Sequence, residues 1–220
     1  MLYRDVYRWY PKGEIIAQAP RYDGMNRVEV AVKRLSDVVL SAIGLVVLSP
    51  LMLCIALILK LQGGGPVIYK QERIGLHGNP FTIYKFRTCK DDAEVDGPQL
   101  TLPDDERTTP TGRVLRDRHL DELPQLWNVL RGDMSMVGPR PERKYFIDKI
   151  MRYDSRYERL YVLRPGVTSD ATLHNGYTDT MEKMLKRLDR DLYYLENRSL
   201  LMDMKIILET AWSFVSCKRF

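Results

Sequence analysis

The feature that most constrains this fold is an apolar run from Val38 to Leu59 that contains no charged residue. A helix over this run would reach about 33 Å at ~1.5 Å per residue, enough to cross a bilayer core. Pro50, preceded by Ser49, lies near its middle. Proline removes one backbone donor and disfavours helical geometry at the residue before it. The pattern therefore predicts a helix broken at Ser49-Pro50.

The charges that flank the run bear on its path through a membrane. Lys33 and Arg34 precede it, and Lys60 and Lys70 follow it. Positive charge on both flanks favours placing both ends on the cytoplasmic side. A re-entrant helix, which enters and leaves by one face, satisfies both the charges and the break. A kinked spanning helix and a buried core helix of a soluble protein remain open as alternatives.

Composition restricts the protein class. The mean hydropathy of −0.31 excludes a polytopic membrane protein. The net charge of +5 suits nucleic acid, anionic lipid or phosphorylated small molecules without choosing among them. Cys54, Cys89 and Cys217 lie far apart in the sequence, so we expect neither a disulfide framework nor a zinc site. We expect the protein to lie in a reducing compartment. The charged N-terminal residues lack the apolar core of a secretory signal peptide.

Local patterns predict an α+β fold that is mainly helical. Residues 66–74 and 80–88 are β-prone around turn chemistry and predict a small β-hairpin, and residues 91–111 predict a loop. Four helical segments are predicted. The first begins near His119 and carries Leu123, Leu126, Trp127 and Leu130 on one face, and the second covers 141–163. The third is an amphipathic helix that begins at Asp179, and the fourth covers 199–216. The last suits either a core helix or an interfacial helix. The predicted division is an extension over 1–29, a lead-in and membrane helix over 30–60, and a catalytic domain over 61–220.

Asp121 and Glu122 are the candidate chemical centre. Adjacent residues on a helix point about 100° apart, so they would approach one site from two sides. Acids near a helix start also complement the helix dipole, and this purely structural interpretation stays open. Arg116 comes shortly before the pair, and Arg140 lies between Pro139 and Pro141. Prolines on both sides restrict the backbone, and a rigidly presented arginine suits a phosphate.

Several ordered stretches resemble the monotopic bacterial phosphoglycosyl transferases, which start glycans on polyprenyl phosphate. The resemblance runs from about residue 30 to 215. It is carried by residues 33–37, Ser49-Pro50, 65–75, 84–88, 112–116, 120–130, 134–142, 164–168 and 191–199. Each motif is short, but the ordered set is highly specific.

The resemblance implies residue roles and partners. Asp121 matches the nucleophilic aspartate, and Glu122 matches the carboxylate that helps it bind catalytic Mg²⁺. Arg116 and Arg140, with Pro139 and Pro141, match residues near substrate phosphates. Lys85 and Arg87 fall in a motif close to the site, and Ser49-Pro50 matches the break of a re-entrant helix.

The activity implied is transfer of a sugar-1-phosphate from a UDP-sugar to polyprenyl (undecaprenyl) phosphate, at the cytoplasmic face of the bacterial inner membrane. UMP would be released and an aspartyl-phosphosugar intermediate formed, although direct attack by the lipid phosphate is an alternative. The resemblance implies no nucleic-acid partner and leaves a homo-oligomer open. From another class, a non-catalytic membrane-tethered adaptor would explain the basic charge but not the Asp-Glu pair. His119 and residues 168–176 depart from the family pattern, so the sugar stays open.

Overall fold

The computed structural model describes residues 23–90, 105–176 and 178–216, with side chains up to Ser213. Within these ranges the fold is mainly helical with two small two-stranded sheets. In chain order the elements are α1 (Arg27–Leu61), β1 (Ile68–Ile74), β2 (Pro80–Phe86), α2 (Pro110–Asp117), α3 (Gln125–Arg131), β3 (Ser135–Val137), α4 (Lys144–Tyr153), β4 (Gly166–Thr168), α5 (Asp170–Asn175), α6 (Met181–Asn197) and α7 (Leu200–Ser216). Short 3-10 helices cover Leu76–Gly78, Leu120–Glu122 and Ser155–Val162.

Helix α1 begins with a capping box. The Asn26 side chain accepts from the backbone of Val28 and Glu29, and the Glu29 carboxylate accepts from the Asn26 backbone at 2.9 Å. These contacts satisfy backbone donors that a helix start otherwise leaves unpaired. The helix therefore starts at Arg27, inside the range predicted as an extension.

The predicted interruption of this helix at Ser49-Pro50 is not observed, because α1 continues through both residues. Pro50 cannot donate to the Val46 carbonyl, the partner it would have in a regular helix. The Ser49 hydroxyl donates to that same carbonyl at 2.7 Å. The serine thus replaces the missing backbone bond, and the helix is maintained across the proline.

Helix α1 buries several polar side chains and exposes many apolar ones, whereas a helix of a soluble protein usually does the opposite. Its buried residues include Lys33, Asp37 and Ser41, whereas Val46 is 74% exposed and Leu53 is 61% exposed. In the part of the chain that is described, α1 is the one helix long and apolar enough to cross a membrane. A core helix would bury its apolar side chains, so the soluble core-helix alternative does not fit.

The predicted hairpin is confirmed. Strands β1 and β2 pair antiparallel from Ile68 opposite Phe86 to Ile74 opposite Pro80. A second sheet was not predicted: β3 and β4 pair in parallel, with Ser135 opposite Gly166. At this pairing a Cβ on Gly166 would lie 2.1 Å from the Gly138 nitrogen, so the close approach requires glycine.

Two element boundaries differ from the prediction. Helix α2 begins at Pro110, inside the predicted 91–111 loop, because the Thr109 hydroxyl caps it by accepting from the Gly112 nitrogen at 3.0 Å; residues 91–104 lie outside the described chain. Trp127 is predicted on the same helix face as Leu126, but Trp127 is 49% exposed whereas Leu126 is 7% exposed. The chain forms a 3-10 turn before α3, and this shifts the face that is buried.

The C-terminal helices α6 and α7 differ in the large apolar side chains that they leave exposed. The predicted amphipathic helix is confirmed in α6, which buries Met184, Leu188, Leu192 and Leu195. Helix α7 buries Ile206 and Asp203, but its Leu208 is 64% exposed and its Trp212 is 69% exposed. The surface of α7 therefore suits the interfacial alternative rather than the core one.

Cys54 and Cys89 are both free thiols.

Candidate active site

Asp121 and Glu122 lie in the 3-10 turn between α2 and α3. His119, directly before this turn, adopts the left-handed conformation with φ of 51°. Its carbonyl accepts from the Glu122 nitrogen at 3.3 Å. The change of direction at His119 separates the two helices and leaves the two carboxylates in the connection between them.

Lys85 on β2 pairs with Glu122. Its Nζ lies 2.5 Å from the Glu122 Oε1, and both side chains are largely buried. Burial alone would raise the pKa of Glu122, but Lys85 and Arg140 together hold that pKa at about 2. Burial lowers the pKa of Lys85, and Glu122 opposes this effect. Glu122 is therefore a fixed negative charge at neutral pH.

A buried asparagine on α3 places Lys85 opposite Glu122. The Asn128 side chain accepts from the Tyr84 nitrogen at 3.1 Å and donates to the Thr82 carbonyl at 2.7 Å. These bonds join α3 to the β2 backbone next to Lys85. Sequence reasoning missed Asn128, although a polar residue among Leu126, Val129 and Leu130 could have suggested a buried contact.

Arg140, in the segment between β3 and α4, also lies near Glu122. Its Nη1 lies 3.6 Å from the Glu122 Oε1, and this carboxylate raises the pKa of Arg140. The backbone around it is held on both sides: the Pro139 carbonyl accepts from the Gly166 nitrogen at 2.8 Å, and the Pro141 carbonyl accepts from Arg73 at 3.1 Å. The restricted presentation expected from the Pro-Arg-Pro sequence is therefore reinforced by tertiary hydrogen bonds.

Asp121 differs from its neighbour in having no direct partner. Its residue is 7% exposed, and its carboxylate accepts no hydrogen bond within the described ranges. Burial raises the pKa of Asp121, Lys85 lowers it and Glu122 raises it. A carboxylate without bound donors in a cationic surrounding is available to attack an electrophile.

Arg116 and Arg87 have different environments. Arg116 donates to Thr88 and Thr108 hydroxyls, both at 2.9 Å, and its charge lowers the pKa of Asp121. Arg87, in contrast, donates to the carbonyls of Leu59 and Gly63 near the end of α1. Helix ends leave carbonyls unpaired, and Arg87 satisfies them. The structure therefore brings Arg116 close to the carboxylate pair, whereas the described bonds of Arg87 join α1 to the domain.

The polar start of α1 supports the same site. Arg34 donates to the Val129 carbonyl at 2.8 Å and the Leu130 carbonyl at 3.0 Å, and Asp37 accepts from the Met136 nitrogen at 2.9 Å. These contacts fix the chain between Glu122 and Arg140. From the sequence, Lys33 and Arg34 are topology signals and part of a family motif, but these contacts are not predicted, because nothing in a local pattern shows partners about a hundred residues away.

The two carboxylates also fit a magnesium ion. Mg²⁺ is commonly held by one or two carboxylates together with substrate phosphates and waters. No group of three or more acidic, histidine or cysteine ligands occurs in the portion of the chain described. A site formed by Asp121 and Glu122 would therefore need substrate phosphates and waters to complete it.

Comparison with known proteins decides the family. A model of the bacterial sugar transferase family matches residues 28–217. This chain belongs to the bacterial sugar transferase family. Membership gives the adaptor hypothesis no support, because the match covers the Asp-Glu pair and the arginines around it.

Two relatives illustrate what this sugar transferase is similar to. A UDP-glucose:undecaprenyl-phosphate glucose-1-phosphate transferase of Caulobacter vibrioides is 42% identical over 194 residues, covering 84% of this chain and 70% of the relative. A UDP-N-acetylgalactosamine-undecaprenyl-phosphate N-acetylgalactosaminephosphotransferase of Aeromonas hydrophila is 38% identical over 179 residues, covering 81% of this chain. The chain spans only 42% of that second relative, and the same share of a UDP-glucose enzyme of Klebsiella pneumoniae.

Proposed function

We propose that this sugar transferase moves a sugar-1-phosphate from a UDP-sugar to undecaprenyl phosphate, releasing UMP and forming a polyprenyl-diphosphate sugar. The observation that carries the proposal is the unpartnered, buried Asp121 carboxylate beside the Lys85, Glu122 and Arg140 cluster. The names of the relatives support the substrate classes. These relatives use different donors, so the sugar is left to experiment.

The proposed reaction has two steps. An Asp121 oxygen attacks the phosphorus attached to the sugar, and the bond from that phosphorus to the UMP oxygen breaks. The product is an acyl phosphate on Asp121. An oxygen of the lipid phosphate then attacks the same phosphorus and expels the Asp121 carboxylate. One diphosphate is exchanged for another, so the overall reaction is expected to be near balance and reversible.

Attack of one anion on another requires positive charge around the phosphates. We propose that Arg140 and Arg116 bind donor oxygens, and Lys85, paired with Glu122, would keep that carboxylate ionised and oriented. Mg²⁺, held by Asp121 and Glu122, would screen the negative charge of the donor diphosphate when bound. In this scheme Glu122 acts through the metal and its cationic neighbours, and only Asp121 makes a covalent bond.

The contacts of α1 support a monotopic arrangement. Its first turns contact the domain through Arg34 and Asp37, and its last turn receives Arg87 at the Leu59 carbonyl. Since both ends contact one folded domain, both are proposed to lie on one side of the bilayer. A re-entrant helix is compatible with these contacts, whereas a bitopic helix would separate its ends. The exposed apolar side of α7 would lie at the same headgroup level, on the cytoplasmic face.

Replacing the nucleophile tests the chemistry. Asp121→Asn is expected to lower UMP release from UDP-sugars by about 10³-fold or more, because the amide cannot form the acyl phosphate. The matched control is Asp148→Asn on α4, whose side chain is half-exposed and pairs with Lys144. Near-normal UMP release by Asp121→Asn would disprove the assignment. Mass spectrometry after donor is added without acceptor distinguishes the two routes: a phosphosugar on Asp121 supports two steps, and none supports direct attack.

Cysteine labelling tests the topology. Pro20→Cys and Gln62→Cys, each in a background without Cys54, Cys89 and Cys217, flank α1. Both positions are expected to react with an impermeant reagent from the cytoplasmic side only. Labelling of the two positions from opposite sides would establish a bitopic helix and overturn the monotopic arrangement, without affecting the chemistry.

A further inference from the structure

Glu142, directly after the Pro-Arg-Pro segment, lies among three arginines. Its Oε1 accepts from the Arg187 Nη1 at 2.6 Å, and its Oε2 lies 3.6 Å from the Arg73 Nη1. Arg140 lines the same small cavity as Glu142 and Arg187. Glu142 is therefore the shared counter-ion of arginines from β1 and α6, and it lies beside the Pro-Arg-Pro segment.

These arginines are close enough to repel one another. The charge of Arg140 lowers the pKa of both Arg73 and Arg187, in addition to the larger effect of burial. Arg73 and Arg187 have side-chain exposures of only 16% and 12%, so water screens their charges weakly. Without the Glu142 carboxylate, Arg140 would face two uncompensated guanidinium groups and would be pushed away from them.

The same cluster also fixes the backbone beside Arg140. Arg73 donates to the Pro141 carbonyl at 3.1 Å, and the Ile74 nitrogen donates to the Glu142 carbonyl at 3.1 Å. Both bonds come from β1. The Arg187–Glu142 bond adds a connection to α6, which holds the Glu142 side chain. The segment directly after Arg140 is thus held by β1 and α6.

We propose that Glu142 and Arg187 form a positioning pair that holds the Arg140 guanidinium against Glu122, where it meets the donor diphosphate. The pair acts through Arg140 and does not itself touch the substrate. This inference rests on the proposed function, because it requires that Arg140 binds the nucleoside diphosphate of the donor.

A double-mutant cycle tests the pair. Glu142→Gln keeps the side-chain shape and removes the charge. It is expected to lower kcat/KM for UMP release about 10- to 100-fold in the native background, and less than about 3-fold in an Arg140→Met background. The affinity for UDP, measured by calorimetry, is expected to show the same coupling. A merely structural role would lower activity by the same factor in both backgrounds.

Two further variants make the test independent of a folding defect. Arg187→Lys keeps a donor and a charge, and is expected to retain more activity than Arg187→Gln, whose neutral side chain leaves Glu142 less well paired. Arg190→Gln is the matched control on the same helix, since Arg190 pairs with Asp170 at 2.9 Å in an exposed position. It is expected to bind UDP as the native protein does.

The outcomes separate this inference from the proposed reaction. Equal losses in both Arg140 backgrounds, or full UDP affinity in Glu142→Gln, would overturn the positioning pair and leave the transfer reaction standing. Coupled losses of UDP affinity in a protein that releases no UMP from any donor would support the pair and overturn the reaction. A native protein that neither binds UDP nor releases UMP would overturn both.

Discussion

Gly112 lies where α2 crosses the end of the hairpin. A Cβ at this position would come within 2.0 Å of the Thr88 carbonyl oxygen, which belongs to the backbone and cannot move aside easily. The same Thr88 receives Arg116 through its hydroxyl at 2.9 Å. The spacing between α2 and the hairpin at Gly112 therefore also determines where Arg116 lies.

Replacing this glycine should lower both stability and activity. Gly112→Ala is expected to cost about 1–3 kcal/mol of unfolding free energy, because the added methyl group overpacks a backbone contact. UMP release should fall with the displacement of Arg116. Gly44→Ala is the control, since its Cβ would meet only the flexible end of Leu126 at 3.1 Å. Thermal unfolding in detergent measures both, and equal melting temperatures would contradict the expectation.

The sequence predicts which residues form the site better than it predicts what each of those residues contacts. Asp121, Glu122, Lys85 and Arg140 were all selected from sequence motifs, and the structure brings them together. Arg87 is predicted with them because it falls in the same family motif as Lys85. Its guanidinium instead pairs with carbonyls at the end of α1, and only the tertiary structure places those carbonyls beside it.

At the scale of elements, α6 carries a buried acid that makes stability depend on pH. Burial raises the pKa of Asp191 to about 7; Arg187 opposes this, whereas Glu142 and Asp170 add to it. The unfolded side chain has a pKa of about 3.9. Between these values the folded state holds a proton that the unfolded state has released. Stability attributable to Asp191 must therefore fall as pH rises from about 4 to about 7.

An isosteric change should remove this dependence. Asp191→Asn cannot ionise, so its unfolding free energy is expected to vary less between pH 4.5 and 7 than that of the native protein, by roughly 1–3 kcal/mol. Chemical denaturation in detergent at several pH values measures the difference. Parallel pH profiles for the two proteins would show that Asp191 ionises in the folded state as it does in the unfolded chain.

Helix α7 is expected to lie in the membrane interface. Trp212 should sit about 5–10 Å into the headgroup boundary, with its fluorescence quenched by brominated lipids. The measurement uses a variant in which Trp9 and Trp127 are phenylalanine. Lys186→Trp, made in a background without native tryptophans, is the control on the polar face of α6 and should be quenched by aqueous iodide. Iodide quenching of Trp212 without lipid quenching would exclude the interfacial position.

Elements with local patterns were predicted well, and those built from distant contacts were not. The hairpin and α6 have regular side-chain spacing within a single segment, which is readable from the sequence. The β3–β4 pair joins three-residue strands from separate parts of the chain, so no local pattern reveals it. Pro50 is correctly predicted to remove one backbone hydrogen bond from the helix. Its structural outcome depended on the Ser49 hydroxyl, which compensates for that loss.

At the scale of the whole molecule, a buried ion pair joins the membrane helix to the C-terminal helix. The Lys33 Nζ lies 2.6 Å from the Asp203 Oδ2 and also donates to the Val137 carbonyl at 3.0 Å. The Tyr194 hydroxyl donates to the other Asp203 oxygen at 2.6 Å. This network connects α1, β3, α6 and α7 at one point.

Breaking the pair should be costly. Lys33→Met is expected to destabilise the protein by about 3–5 kcal/mol, because it leaves Asp203 buried without its cation. Adding Asp203→Leu should recover part of the loss. Lys183→Met, which breaks a more exposed pair with Asp179, is the control and should cost less than about 1 kcal/mol. Urea denaturation in detergent measures all four proteins. Equal losses for Lys33→Met and Lys183→Met would mean that water screens the Lys33–Asp203 pair.

The Lys33–Asp203 pair has a consequence for biosynthesis. Its partners are 170 residues apart in the chain, and ribosomes add about 5–20 residues per second. The apolar helix therefore emerges and meets the membrane roughly 10–30 s before the carboxylate of Asp203 exists. During that interval Lys33 must extend its amine toward the headgroups, as lysines do at membrane surfaces. We therefore expect insertion to precede docking, so that the catalytic domain assembles on an anchor that is already in the lipid.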